Sequence, residues 1–217
     1  MKIIGMTGGI ASGKTTVLAM LRELGANVID TDQLVHGLLK STSPIFKFIV
    51  RQVGKGILNE DGEINRPRLG EIVFSDPCAL AYLEGALHPA VYAETEAWIR
   101  GIEAREASSG REQVYVIDGA KVYPELLPQC DSFWVIYAPE AKQLDRLVNK
   151  RGVSDEEARR RIAAQVPWEE RLRQADVVID NSGTIEETRN QVEREWKKVA
   201  RSSSALLPKG RRAEERD

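Results

Sequence analysis

Gly8-Gly9-Ile10-Ala11-Ser12-Gly13-Lys14-Thr15 satisfies G-x-x-x-x-G-K-[ST] at every defined position, and its reading decides the fold. The spacing has a mechanical reason. Its glycines let the backbone curl until successive N–H groups converge on phosphate oxygens. The helix that follows adds its positive N-terminal end. In such a loop the lysine, here Lys14, bridges the β- and γ-phosphates, and the hydroxyl of the next residue, Thr15, ligates Mg²⁺. Before the loop, Lys2–Met6 (KIIGM) is a short β-branched run that suits a buried parallel strand. After it, Lys14–Leu24 carries Val17, Leu18, Leu21 and Leu24 at helical spacing, with Gly25 as its stop. Strand, loop and helix in that order predict a site for a nucleoside triphosphate with Mg²⁺. The candidate contacts are Gly8, Gly9, Ala11, Ser12, Gly13, Lys14, Thr15 and Thr16. The loop does not by itself separate a kinase from an ATPase, a GTPase or a sensor. Asn149-Lys150-Arg151-Gly152 lacks the aspartate of a guanine-reading N-K-x-D, which disfavours a GTPase.

Outward from the loop, the pattern alternates. Asn27–Asp30, Gln113–Asp118, Ser132–Ala138 and Val177–Asp180 read as further buried strands. Helices are predicted over Gln33–Lys40, Pro44–Val53 and Thr184–Val199, and Gly54–Asn65 is rich in turn formers. Arg66 to about Arg105 is helical in pattern, with Pro89 expected to interrupt it. Residues 140–173 are dominated by charged helix formers. Strands alternating with helices imply a parallel five-stranded sheet covered on both faces. Residues 201–217 are expected to form a frayed tail without chemistry.

The 217 residues suffice for one such domain, and a formal net charge of −2 argues against bulk nucleic-acid binding. Cys78 and Cys130 match no metal spacing and are expected as two reduced, half-buried thiols. No stretch approaches the roughly 18 apolar residues of a membrane span, so no membrane partner and a cytoplasmic location are expected.

Ligands of open α/β sheets sit beyond the carboxyl ends of the strands. Asp30 and Asp32 follow the second strand, Asp118 ends the third, and Asp180 ends the fifth. Asp32 is the candidate general base and Asp118 the candidate metal-side carboxylate. Helix capping or turn formation is the competing use, above all for Asp30 and Asp180.

With Asn27-Val28-Ile29-Asp30-Thr31-Asp32 placed after it, the loop looks like that of the dephospho-CoA kinase family. Further segments resemble that family in order along residues 2–195. They are Asp61-Gly62-Glu63-Ile64-Asn65-Arg66-Pro67-Arg68-Leu69; Phe74, Leu80, Leu83-Glu84 and Leu87-His88-Pro89; Gln143-Leu144-Asp145-Arg146-Leu147; Arg161-Ile162-Ala163-Ala164-Gln165; and Ala175 to Gly183. The resemblance implies a three-layer P-loop kinase fold within residues 1–200. Its core would be 1–58, 110–139 and 174–200, with a helical substrate lobe at about 59–109 and a lid at about 140–173. It implies transfer of the γ-phosphoryl group of ATP to the 3′-hydroxyl of dephospho-CoA. By the same resemblance Asp32 accepts the ribose hydroxyl proton, Arg66 and His88 lie in the substrate lobe, and Asn181 lies near the adenine. Arg146, on the lid, neutralises the transferring group because a guanidinium offers fixed paired donors to phosphate. Arg159 and Arg160 are either further lid cations or a solvated helix face. Residues 119–125 depart from the family's pattern by holding Lys121, and Lys150 with Arg151 stands where a second lid arginine is usual.

Overall fold

A computed structural model describes residues 2–109, 113–119 and 130–201. Lys121 with most of its variant stretch, and the tail beyond 201, lie outside the described residues. The chain divides into two compact units, residues 1–29 with 106–217, and residues 30–105.

The first unit is built on five strands: β1 (Lys2–Gly8), β2 (Asn27–Asp30), β3 (Val114–Asp118), β4 (Ser132–Tyr137) and β5 (Val177–Asp180). Their order is β2-β3-β1-β4-β5, and the registers are parallel, with Met6 opposite Asp118, Gly8 opposite Ile136 and Tyr137 opposite Asp180. β1 is central. The chain runs first to one side of it and later to the other, so the switch point of the sheet falls at the carboxyl end of β1, where ligands of such sheets bind. α1 (Lys14–Glu23) and α9 (Ile185–Arg201) pack with the sheet. Ile4, Met6, Val17, Leu21, Val116, Trp134, Ile136, Ile179 and Val192 make the dry core between them. As expected, α1 stops at Leu24, with the Gly25 N–H returned to the Arg22 carbonyl. α9 starts from a reciprocal cap. The Glu187 N–H donates to Thr184 Oγ1 while the Thr184 N–H donates to Glu187 Oε2. The Thr184 N–H and hydroxyl hold the Glu187 carboxyl below its usual range.

Between β4 and β5 the charged stretch folds as α6 (Glu140–Asp145), a π-helical turn (Arg146–Lys150), α7 (Asp155–Ala163) and α8 (Trp168–Arg173). On α7, Arg159 pairs with Asp155 at 2.6 Å, and Arg160 and Arg161 pair with Glu157 at 2.5 and 2.7 Å. These are exposed pairs along one helix, which is the solvated-face reading.

The second unit carries α2 (Thr31–Leu38), α3 (Phe46–Val53), a 3-10 turn (Lys55–Ile57), α4 (Arg66–Ser75) and most of α5 (Pro77–Ser109). The Asp61–Leu69 segment is local architecture. Leu58 and Ile64 bridge antiparallel around a turn, the Glu63 N–H donates to Asp61 Oδ1, and Asn65 caps α4 by accepting the Arg68 N–H at 3.0 Å. Asp76 starts α5 in the same way, its carboxylate accepting the Cys78 N–H at 2.8 Å with Pro77 in the first turn. The expected break at Pro89 is overturned, since α5 runs through it. Pro89 and Gly85 are both exposed, so the carbonyl that loses its partner can be hydrated. Buried Leu87, Val91, Ile99 and Ile102 hold the helix on either side. The cost of about 3 kcal/mol for an interior proline is carried by that packing.

Neither cysteine is in a disulfide, and Cys78 is exposed rather than half-buried. Burial, and then the carboxylates of Asp131 and Asp176, push the Cys130 thiol up to about 12. Its thiolate fraction near neutrality therefore falls by about 10³ from that of an ordinary thiol, partly offset by higher intrinsic nucleophilicity. In iodoacetamide labelling at pH 8, Cys78 should react at least about 30-fold faster than Cys130. Equal rates would contradict this burial.

Candidate active site

The loop between β1 and α1 is shaped by two left-handed residues. Gly13 caps α1 at φ 96°, and Ala11 sits at φ 54°. An alanine there stores strain of the kind found at functional sites. A Cβ at Gly13 would also fall on Asn181 Nδ2, so this glycine is required twice. The Ser12 N–H returns to the Gly9 carbonyl at 3.1 Å, and the Thr16 and Val17 N–H groups return to that of Gly13 at 3.0 and 3.2 Å. The N–H groups of Ala11, Gly13, Lys14 and Thr15 are left without a protein acceptor among the described residues. The Ser12 hydroxyl is likewise buried without a partner. Unspent donors at a helix N-terminus beside a lysine make a site for an anion of several oxygens.

Lys14 and Asp118 form an ion pair, their side chains only 19% and 11% exposed. The register places Asp118 opposite Met6, so the carboxyl end of β3 lies beside the start of the loop. Thr15 and Thr16, in the first turn of α1, are exposed. An aliphatic hydroxyl and a carboxylate are the hard oxygen donors that Mg²⁺ takes together with phosphate oxygens and water.

From β5 comes Asn181, buried, whose Nδ2 donates to the Ser12 carbonyl at 2.7 Å while its Oδ1 accepts the Thr188 hydroxyl at 2.9 Å. Arg146 joins the same corner. Its Nη1 donates to the carbonyls of Ala11 and Ser12 at 3.0 and 2.9 Å, and its Nη2 to that of Asn181 at 2.7 Å. The fork ties the phosphate loop to the turn after β5, because three backbone carbonyls converge where it ends.

Asp32 lies in the first turn of α2, exposed, and its carboxylate makes no hydrogen bond among the described residues. Asp30 caps that helix by accepting the Asp32 and Gln33 N–H groups at 2.9 and 3.3 Å, and Asp180 Oδ1 accepts the Ser182 N–H at 2.9 Å. Both fill the cap and turn roles. Arg66, exposed at the start of α4, has Nη1 3.5 Å from His36 Nδ1, and His88 is half-buried on α5. His36 carried no mark in the sequence beyond being one of two histidines.

The family model described as dephospho-CoA kinase matches residues 2–187. A dephospho-CoA kinase of Symbiobacterium thermophilum is 46% identical over 198 residues, spanning 91% of this chain and 81% of that protein. One of Carboxydothermus hydrogenoformans is 43% identical over 190 residues, spanning 88% and 90%. The solved dephospho-CoA kinase of Campylobacter jejuni superposes with a TM-score of 0.67 at 24% identity, covering 94% of this chain and all of that one, and so shares the fold. With a P-loop kinase fold, and a family match running from β1 into α9, the chain belongs to the dephospho-CoA kinase family.

Proposed function

We propose that this chain transfers the γ-phosphoryl group of ATP to the 3′-hydroxyl of dephospho-CoA, giving CoA and ADP, as a cytoplasmic enzyme closing coenzyme A biosynthesis. The observation that carries this is the phosphate loop with its Lys14–Asp118 pair, in a chain that the family model matches across 186 residues, from 2 to 187. Phosphoryl transfer asks the protein for little covalent chemistry and for much positioning and charge stabilisation. The free N–H groups of Ala11, Gly13, Lys14 and Thr15 cradle the β- and γ-phosphates. Lys14 exchanges its carboxylate partner for phosphate oxygens as the nucleotide enters. Thr15 and Asp118 are then the residues that would hold Mg²⁺. When bound, the ion supplies neutralisation of the charge gathering on the β- and γ-oxygens. Arg146 and Asn181 keep the loop in shape from behind by holding its carbonyls. Asp32, two residues past β2 with an unengaged carboxylate, accepts the proton of the attacking hydroxyl. Arg66 and His88 bind the acceptor.

ADP release measured with dephospho-CoA, adenosine, AMP, uridine and shikimate tests the reading. Turnover with dephospho-CoA well above the rate without acceptor is expected. Dephospho-CoA at the background rate would refute it.

A further inference from the structure

Two glutamines of the lid have no task in the reaction as described, yet they are joined to the phosphate loop. Gln143, on α6, is 0% exposed, and its Nε2 donates to the Ala138 carbonyl at the end of β4 at 2.8 Å. Its Oε1 is thereby left to accept, and Gln165 Nε2 donates to it at 3.3 Å while also facing the Ile162 carbonyl at 3.3 Å. Gln165 Oε1 then accepts the Ile10 N–H at 2.6 Å. A hydrogen-bonded chain thus runs from the carboxyl end of β4 through the lid to the loop, and its polarity is fixed at both carboxamides. Turning either one over would set like groups against each other. Bonds ordered head to tail in this way strengthen one another.

The packing around the chain is close. A Cβ on Gly9 would meet Trp168 Cζ2 at 2.9 Å, Gln165 Oε1 at 3.1 Å and Gln143 Oε1 at 3.2 Å. Trp168 itself stands edge-on to Tyr137, with ring centroids 4.9 Å apart and planes at 73°. Below, Ala11 packs with Leu147 and Ala158 in a small apolar cluster of its own. The chain takes a single donor of the loop, that of Ile10, and leaves those of Ala11, Gly13, Lys14 and Thr15 for phosphate.

We propose that Gln165 is a positioning residue for phosphoryl transfer, setting the lid against the phosphate loop through the chain Ala138–Gln143–Gln165–Ile10. This rests on the reading that the chain transfers a phosphoryl group from ATP. Because the phosphate-facing donors stay free, losing Gln165 spares nucleotide binding. It loosens the register between lid and loop, and transfer is far more sensitive than binding to misplacement of that size.

The test compares wild type, Gln165→Ala, Gln165→Glu and Gln143→Ala in the full chain. Exchange of the Ile10 amide is followed without nucleotide, and steady-state kinetics with ATP and dephospho-CoA. In Gln165→Ala the Ile10 amide should exchange at least about tenfold faster. Its kcat should fall about tenfold, with KM for ATP within about threefold. Gln143→Ala, which does not touch Ile10, should also speed that exchange. Gln165→Glu keeps size and an acceptor but offers no donor to Gln143, so it should not restore kcat. Unchanged Ile10 exchange in Gln165→Ala would overturn the proposal. So would a purely KM effect, or wild-type kcat in Gln165→Glu. If wild type showed no turnover with dephospho-CoA, the functional reading would fall, while Ile10 exchange would still decide whether the chain of bonds holds the loop.

Discussion

Lys14→Ala is expected to lower kcat by about 10²–10³-fold, the cost of removing one preorganised donor from a developing charge. The effect on binding should be smaller, because the N–H groups of Ala11, Gly13 and Thr15 remain to cradle the phosphates. The same substitution has a second consequence that must be separated from the first. It takes the Lys14 ammonium away from the Asp118 carboxylate, which is 11% exposed. Losing a charge partner at a carboxylate so placed costs about 1–3 kcal/mol of stability. The double variant Lys14→Ala/Asp118→Asn removes that charge. It should recover most of the lost melting temperature and none of the lost kcat. Recovery of activity together with stability would mean that Lys14 acts only as a structural counter-ion. A kcat within about twofold of wild type in Lys14→Ala would remove it from the chemistry.

How far the sequence reached differs by element, for physical reasons. The sheet and the loop were legible because they rest on local, dense signals: apolar, β-branched runs, buried along their length in β1, β3 and β4, and glycines at positions where no other residue fits. Asp30 and Asp180 were ambiguous as single carboxylates, and geometry resolves them through the N–H groups they accept. The Asp61–Leu69 segment reads in sequence as a family mark. In the fold most of it is explained by a turn, a bridge and the Asn65 cap. Pro89 misled because the rule concerns the helix backbone alone, whereas Leu87 and Val91 beside it are buried. The fork of Arg146 was legible as an arginine near the site. Its aim at carbonyls was not, because Ala11 and Asn181 meet it across 135 and 35 residues. The contacts of Gln143 and Gln165, which the sequence showed only as members of two family-like segments, were hidden for the same reason. A neutral amide in a charged helical stretch carries no sign that it will be buried or what it will meet 155 residues away.

Asp32→Asn is expected to lower kcat by about 10²–10⁴-fold, the usual contribution of a general base. The fold makes this substitution unusually clean to interpret. Asp32 is exposed, its carboxylate holds nothing among the described residues, and its backbone N–H is held by Asp30. Losing the charge of this exposed carboxylate forfeits a first-turn interaction worth about 0.3 kcal/mol, so the melting temperature should hardly move. Asp30→Ala provides the opposite case. It removes the cap of α2 and should cost about 1 kcal/mol of stability while leaving proton acceptance to Asp32. The two neighbouring carboxylates should therefore separate, one in the melting curve and the other in kcat. Asparagine keeps the shape of the side chain and can still bind a hydroxyl, so KM for dephospho-CoA should change far less than kcat. If Asp32→Asn turned over at a near-normal rate, the proton of the 3′-hydroxyl would have to leave by another route. If instead KM rose and kcat held, Asp32 would be a binding group for the ribose and not its base.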